Sequence, residues 1–430
     1  MKRIVMASVM TTLLMGCGSE SSDSSSPKFA SKALLGEALY SDVNLSKNRS
    51  QSCATCHVLE HGLADNRALA SVNPNQPFAA SLGDDDQSLG GRNAPTAGYA
   101  SFSPAFTSST RDRIVSGFDN YEGHLGGQFW DGRESDLKGQ AGGPPTNPIE
   151  MGMESKAAVV TRILENADYV ASFESLYGSN IFDDAATENP SAYEAMAESI
   201  AEFEKTSVFA PFDSKYDLSL KLMTTYPFAG EYEYTEGSLA DKGKTLFFSS
   251  DLNCAACHQL KPLKDQQEVF TSFEYHNLGV PANVELYNTR IAQGMDITDD
   301  PDLGLFDNVA EETAKGKFKV PTLRNVAVTA PYMHNGIFNE LETVIKFYEH
   351  ARFRAAATGE ELYPLNPETG VAWGEPEVPD SINHDELGRI GSNTPLNQEN
   401  VDALVCFLMS LTDAKYEHLL DSAEVAQCQL

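Results

Sequence analysis

Long apolar runs are absent from this 430-residue chain. The one stretch apolar enough to meet a bilayer, Ile4 to Met15, is about a dozen residues and too short to span it, which excludes a polytopic membrane protein. Basic charge is scarce as well: 31 Lys plus Arg stand against 62 Asp plus Glu, a formal net charge of -31. That balance argues against nucleic acid or an anionic lipid surface as partner and favours a basic partner or a neutral small molecule. No sequence repeat of about 20 to 50 residues is visible beyond two short motifs. What is present is ordinary globular composition, 41% hydrophobic and 22% charged, with length for about two or three domains.

Lys2 and Arg3 followed by the apolar run make a secretory signal peptide over residues 1–17. Leu14-Met15-Gly16-Cys17 resembles the bacterial lipoprotein box, which implies lipidation of Cys17; a plain signal peptide with a stray Cys is the alternative. Residues 18–30 are a Ser-rich tether too poor in apolar groups to fold. The expectation is a periplasmic body that meets the membrane only through its lipid anchor, and by the same resemblance Gly18 favours the outer membrane.

Seven Cys is an odd number for an exported chain, and spacing assigns most of them. Cys53-Ala-Thr-Cys56-His57 and Cys254-Ala-Ala-Cys257-His258 both spell CxxCH, the attachment pattern of c-type haem: two thiols form thioethers and the adjacent imidazole binds iron. At this chain's Cys and His frequencies, chance supplies about 0.002 copies. A thioredoxin-type redox pair or a zinc site explains the adjacent His less well. Cys406 and Cys428 remain, and either they pair as a disulfide or Cys406 fills a helical core with Val401, Leu404, Val405, Leu408 and Met409.

The haem motifs lie 201 residues apart (254 minus 53), which predicts a mainly α fold of two tandem cytochrome c-like haem domains, 31–225 and 226–430. Gly and Pro clusters such as SLGGRNAPTAG and GGPPTNP predict long irregular loops. Apolar spacing predicts helices over 156–174 and 192–206, and a final helix from Thr394 to Thr412.

Two further segments, Gln128 to Met151 and Lys319 to Phe338, look like signature stretches of the bacterial dihaem cytochrome c peroxidase superfamily, including its methylamine-utilisation maturase branch. With the haem motifs, the resemblance runs from about residue 32 to 414. It implies a peroxidatic haem in the first domain and an electron-transfer haem in the second. Trp130 matches the tryptophan that relays electrons between the haems, and Gln140, Pro144 and Glu150 match the residues over the peroxide site. Heterolysis of an O–O bond needs a proton moved between the oxygens, work that suits a carboxylate in a closed pocket, and Glu150 is that candidate. The alternatives are a surface Glu150 and a merely core-filling Trp130.

The ligand of the second haem departs from the common pattern. Family peroxidases that take electrons from small cytochromes carry Met fourteen residues after the His of the PY-x-H-x-G segment; here His334 plus fourteen is Tyr348, as in the maturase branch. A phenolate favours Fe(III) and lowers the potential, where a thioether raises it. If Tyr348 is a core residue, Met333 or His350 is next in line as ligand. Asn73 stands where many relatives have a blocking His, which implies an open peroxide site unless His61 or His124 swings in. Asn93, with the Thr329 and Pro331 carbonyls, matches the family's calcium site, an oxygen-only set suited to a hard cation. The 37 residues from Asn93 to Trp130 include an insertion relative to the family, which together with Asp84, Asp85 and Asp86 leaves the make-up of the peroxide pocket's rim undecided by the sequence. His276 reads as structural near the second haem, His384 and His418 as solvated, and Trp373 as a rim contact.

The sequence thus predicts a dihaem peroxidase that reduces hydrogen peroxide, with a small cytochrome c or cupredoxin as donor. The rivals are a peroxide-dependent oxidase acting on Trp or Tyr of a partner protein and a non-enzymatic dihaem electron carrier.

Overall fold

The computed structural model describes residues 28–69, 79–113, 118–220, 232–260, 267–295, 297, 301–356, 360–391 and 394–430. The signal peptide, Cys17, most of the tether, Asn73 and the expected boundary at 225/226 lie outside the described residues.

Two helix pairs organise the chain. The first begins with Lys32–Tyr40, where the Ser31 hydroxyl accepts from the Leu34 amide and caps the start. This helix buries Leu35, Gly36, Leu39 and Tyr40 and packs on Ser191–Glu204. The second pair is Leu239–Phe247, capped by Ser238, against Gln398–Met409, capped by Asn397. Each crossing is made at a glycine: a Cβ on Gly36 would lie 1.9 Å from the Ser199 carbonyl oxygen, and one on Gly243 would lie 1.8 Å from that of Ala403. Only a residue without a side chain lets backbones approach this closely.

Each pair is the spine of an apolar core. Leu35, Tyr40, Val160, Phe173, Met196 and Ile200 belong to the first, and Phe247, Leu252, Phe270, Leu404 and Phe407 to the second. The chain end returns to the first core, where Tyr416 is buried and its hydroxyl donates to the Leu59 carbonyl at 3.0 Å. No helix among the described residues is long and apolar enough to cross a membrane.

The fold is mainly helical, as the sequence predicts. The 156–174 helix is in fact two, Lys156–Leu164 and Ala167–Tyr177, because the Asn166 side chain accepts from the Asp168 amide and starts a new helix. The helix predicted to end the chain stops at Met409, and Ser422–Cys428 follows it, tied back by a Cys406–Cys428 disulfide. The pairing of these two cysteines, left open by the sequence, is thereby decided.

The insertion between Asn93 and Trp130 contains an antiparallel hairpin, Thr107–Arg111 paired with Tyr121–Leu125. It packs on the second half of the chain, where Leu125 bridges to Glu274 and the Tyr275 amide donates to the Tyr121 hydroxyl at 3.1 Å.

Candidate active site

The first CxxCH motif is a single helical turn, Cys53–Cys56, followed by His57. Burial keeps both thiols protonated and pushes Cys56 up to about 12. Burial also lowers His57, which leaves a neutral imidazole whose Nδ1 faces the Leu63 carbonyl at 3.3 Å. With Nδ1 donating there, Nε2 is left free as a ligand.

Glu150 belongs to the same neighbourhood, since its charge acts on both thiols. Its carboxyl is held above the ordinary Glu range, chiefly by burial, while Arg133 pulls the other way. The Asn147 side chain donates to Glu150 Oε1 at 2.8 Å and fixes the group. Pro144 is tied into that loop because its carbonyl accepts from Met151 and Asn147. Gln140 lies one turn away, on Leu137–Ala141. Asp84 meets this loop through its amide, which donates to the Glu150 carbonyl at 2.8 Å.

The second motif repeats this design. Cys254 is pushed up to about 12 by burial, and His258, lowered to about 4 by burial, has Nδ1 3.1 Å from the Phe270 carbonyl. Here the motif lines an apolar cavity of about 220 Å³, together with Trp130, Met333, His334 and Tyr348. Tyr348 projects from Leu341–Ala356, and burial keeps its phenol protonated in the protein alone. Cavity, paired thiols and a neutral imidazole with its far nitrogen bonded fit a c-type haem, with Met333 and Tyr348 both in position to face it. His350 is not: its Nδ1 is 2.7 Å from Glu361, and its ring stacks on Trp373. Trp373 is no rim contact either, being buried beside Phe338 and Phe347.

Trp130 joins the halves. Its indole Nε1 donates to the Asn93 carbonyl at 2.8 Å, and its own carbonyl accepts from the Lys319 amide at 2.8 Å. Asn93 in turn has its amide donating to the His334 carbonyl at 2.7 Å and its side-chain nitrogen 2.6 Å from the Pro331 carbonyl. Thr329 is near by but bonds within its own turn, to Val326. His124 is held in the hairpin by Glu311 at 3.2 Å and by stacking on Phe106, and His384 and His418 are exposed. His61 is bonded through its backbone to Val58, and its ring Nε2 is buried with no hydrogen-bond partner.

Sequence reasoning missed a buried charge cluster on the wall of the second cavity. His276 Nε2 is 3.9 Å from Cys257 Sγ, with Glu274 at 3.0 Å from one ring nitrogen and Glu386 at 3.0 Å from the other. Arg113 spans the same two carboxylates, and Arg111 reaches Glu274 at 2.6 Å. Burial opposes charge on His276, but the Cys257 sulfur and the two carboxylates outweigh it and hold the ring protonated. No short-range pattern announces this group, because the Arg and Glu partners are some 160 residues apart.

A family model described as di-haem cytochrome c peroxidase matches residues 30–224. The methylamine utilization protein MauG of Paracoccus denitrificans is 42% identical over 398 residues, 92% of each chain. Cytochrome c peroxidase Ccp of Escherichia coli is 32% identical over 320 residues, 74% of this chain and 53% of that one. Among solved structures, the diheme peroxidase BthA of Burkholderia thailandensis superposes with a TM-score of 0.70 at 26% identity, covering 91% of this chain and 88% of the other. Matching sequence over nearly its whole length and sharing the fold, this chain belongs to the di-haem cytochrome c peroxidase family.

Proposed function

We propose that this oxidoreductase reduces hydrogen peroxide at a haem held by Cys53, Cys56 and His57, with electrons passed through Trp130 from a haem held by Cys254, Cys257 and His258. When bound, the first haem supplies the peroxide-binding iron and the second, with Tyr348 as its further ligand, a low-potential electron store. Glu150 moves the proton between the two peroxide oxygens, a role supported by its burial and by the Asn147 bond that orients it. Gln140 and Pro144 shape the pocket over that site. The observation that carries the reading is the position of Trp130, a residue of the first half that stands in the wall of the second cavity and whose carbonyl accepts from the Lys319 amide of the second half.

Electron paramagnetic resonance of the oxidised protein tests it. One high-spin and one low-spin haem are expected, the high-spin signal lost on adding one equivalent of peroxide and the low-spin signal altered by Tyr348→Phe. Two low-spin signals indifferent to peroxide would leave an electron carrier or a peroxidase that needs reductive activation.

Tyr348 favours a second reading, in which the oxidising equivalents are spent on Trp or Tyr of a partner protein; the 42% identity to MauG supports it. Rapid oxidation of a small reduced cytochrome c or cupredoxin by peroxide and the enzyme would speak for the first reading, and its absence for the second.

A calcium ion held by Asn93 and the carbonyls of Thr329 and Pro331 is part of the proposal. With the Asn93 amide turned over, two oxygens would face each other at the 2.6 Å spacing, which suits a shared hard cation. The signal peptide, the lipoprotein box at Cys17 and the disulfide support a lipid-anchored periplasmic location, at the outer membrane by the Gly18 rule.

A further inference from the structure

The hairpin is an N-terminal-half insertion whose side chains end on the other half. Arg111 donates to the carbonyl of Gln259, the residue after His258, at 2.5 Å, and to Glu274. Arg113 has a side chain only 1% exposed and lies between Glu274 at 3.0 Å and Glu386 at 2.5 Å. Phe118, under the Arg113 guanidinium, lines the second cavity. The cluster therefore sets three cations, Arg111, Arg113 and His276, against two carboxylates, with Lys317 facing Glu386 and Arg389 over Phe118 as the other cations near it. The geometry favours charge on His276, since Glu386 at 3.0 Å from Nδ1 is nearer than the Asn383 side-chain nitrogen at 3.4 Å. A neutral imidazole has one N–H, yet both ring nitrogens face carboxylate oxygens at 3.0 Å, and these partners remain when the Cys257 sulfur is an uncharged thioether.

We propose that the hairpin is a redox-setting element of the second haem: Arg111 and Arg113, acting with His276, hold net positive charge at the Cys257 corner and raise the reduction potential that the Tyr348 ligand lowers. Reduction adds an electron, so a nearby positive charge favours the reduced form, and a buried site strengthens the effect. His276, Arg111 and Arg113 are thus positioning residues that act on the haem through space. The inference rests on the proposed attachment of a haem to Cys254, Cys257 and His258.

The test is a spectroelectrochemical titration of the purified dihaem protein, after haem content and the low-spin spectrum have been recorded. His276→Gln and Arg113→Gln are expected to lower the second-haem midpoint, each changing the reduced-to-oxidised ratio at fixed poise by about tenfold. Glu386→Gln is expected to raise it, Arg113→Lys to keep the wild-type value, and the first haem to stay unmoved in all four. Midpoints unchanged with both haems retained, or all variants shifting in one direction, would overturn the inference. A wild type that holds only one haem would instead overturn the two-haem reading on which it stands.

Discussion

Gly36 and Gly243 are counterparts: each sits where an early helix crosses a late one, with a carbonyl, Ser199 in one and Ala403 in the other, less than 2 Å from where a Cβ would be. An alanine at either position forces the two helices apart, and overpacking of this kind costs about 1–3 kcal/mol. Gly36→Ala and Gly243→Ala are expected to lower stability in urea by that amount or more. Gly142, at φ -84° with its nearest neighbours 3.5 Å away, is the control whose alanine variant stays within a few tenths of wild type. Equal effects at all three sites would remove the crossing argument.

Glu150 is expected to control the acid side of catalysis. A carboxyl that accepts a proton must be ionised, and burial raises this one above the ordinary Glu value of about 4.3. Activity should therefore fall, as pH is lowered, at a higher pH than a solvated Glu would give. Glu150→Gln is expected to reduce peroxide turnover by about 10²–10⁴-fold and abolish that limb, with both haem spectra intact. A pH profile of kcat/KM for the two proteins decides it.

Glu204 carries a different pH dependence, one of stability. Its carboxyl is buried beside Tyr40 and Cys53, Oε2 has no hydrogen-bond partner, and burial pushes it up to about 8. The folded state thus prefers the neutral acid more than the unfolded chain does. Below the unfolded value, about 4.3, there is no penalty; as pH rises towards 8 the folded state loses stability, by the order of a few kcal/mol. Glu204→Gln should flatten the stability curve over that window. A parallel curve for variant and wild type from pH 5 to 9, on the order of one measurement per unit, would show that the group does not titrate as argued.

Much of this was legible because local chemistry declared it. Two CxxCH motifs named their cofactor without any fold, and apolar spacing located the Ser191–Glu204 and Gln398–Met409 helices. The break at Asn166 was hidden because the apolar pattern continues across it, while one side-chain bond to Asp168 decides the geometry. The hairpin escaped notice because TSSTR is exposed over its first four residues and has no apolar face to give a period, its order coming from residues 259 to 275. The likeness of the two halves was invisible for a related reason. It resides in helix crossings and two glycines, 17 residues before Cys53 in one case (53 minus 36) and 11 before Cys254 in the other (254 minus 243).

Arg324 gives the sharpest stability test. It is wholly buried, and its guanidinium is bonded to Asp217 at 2.5 and 2.8 Å and to the Glu268 carbonyl at 2.6 and 2.8 Å. Four rings surround it, Tyr99, Phe212, Tyr216 and Phe270, at 5.0–5.8 Å. Removing one partner of such a pair leaves a charge without compensation, so Arg324→Met alone should cost about 3–5 kcal/mol. Replacing both charges removes the need to desolvate them, though it unpairs the Glu268 carbonyl and Ser214, so Arg324→Met with Asp217→Leu should recover part of that loss. Because Tyr99 also donates to Asp413 at 2.6 Å, the single variant should loosen the joint that this tyrosine makes with the C-terminal segment as well. Urea unfolding of both single variants and the double settles the matter: a double variant no more stable than Arg324→Met would mean that ring packing, and not the compensated charge, sustains this site.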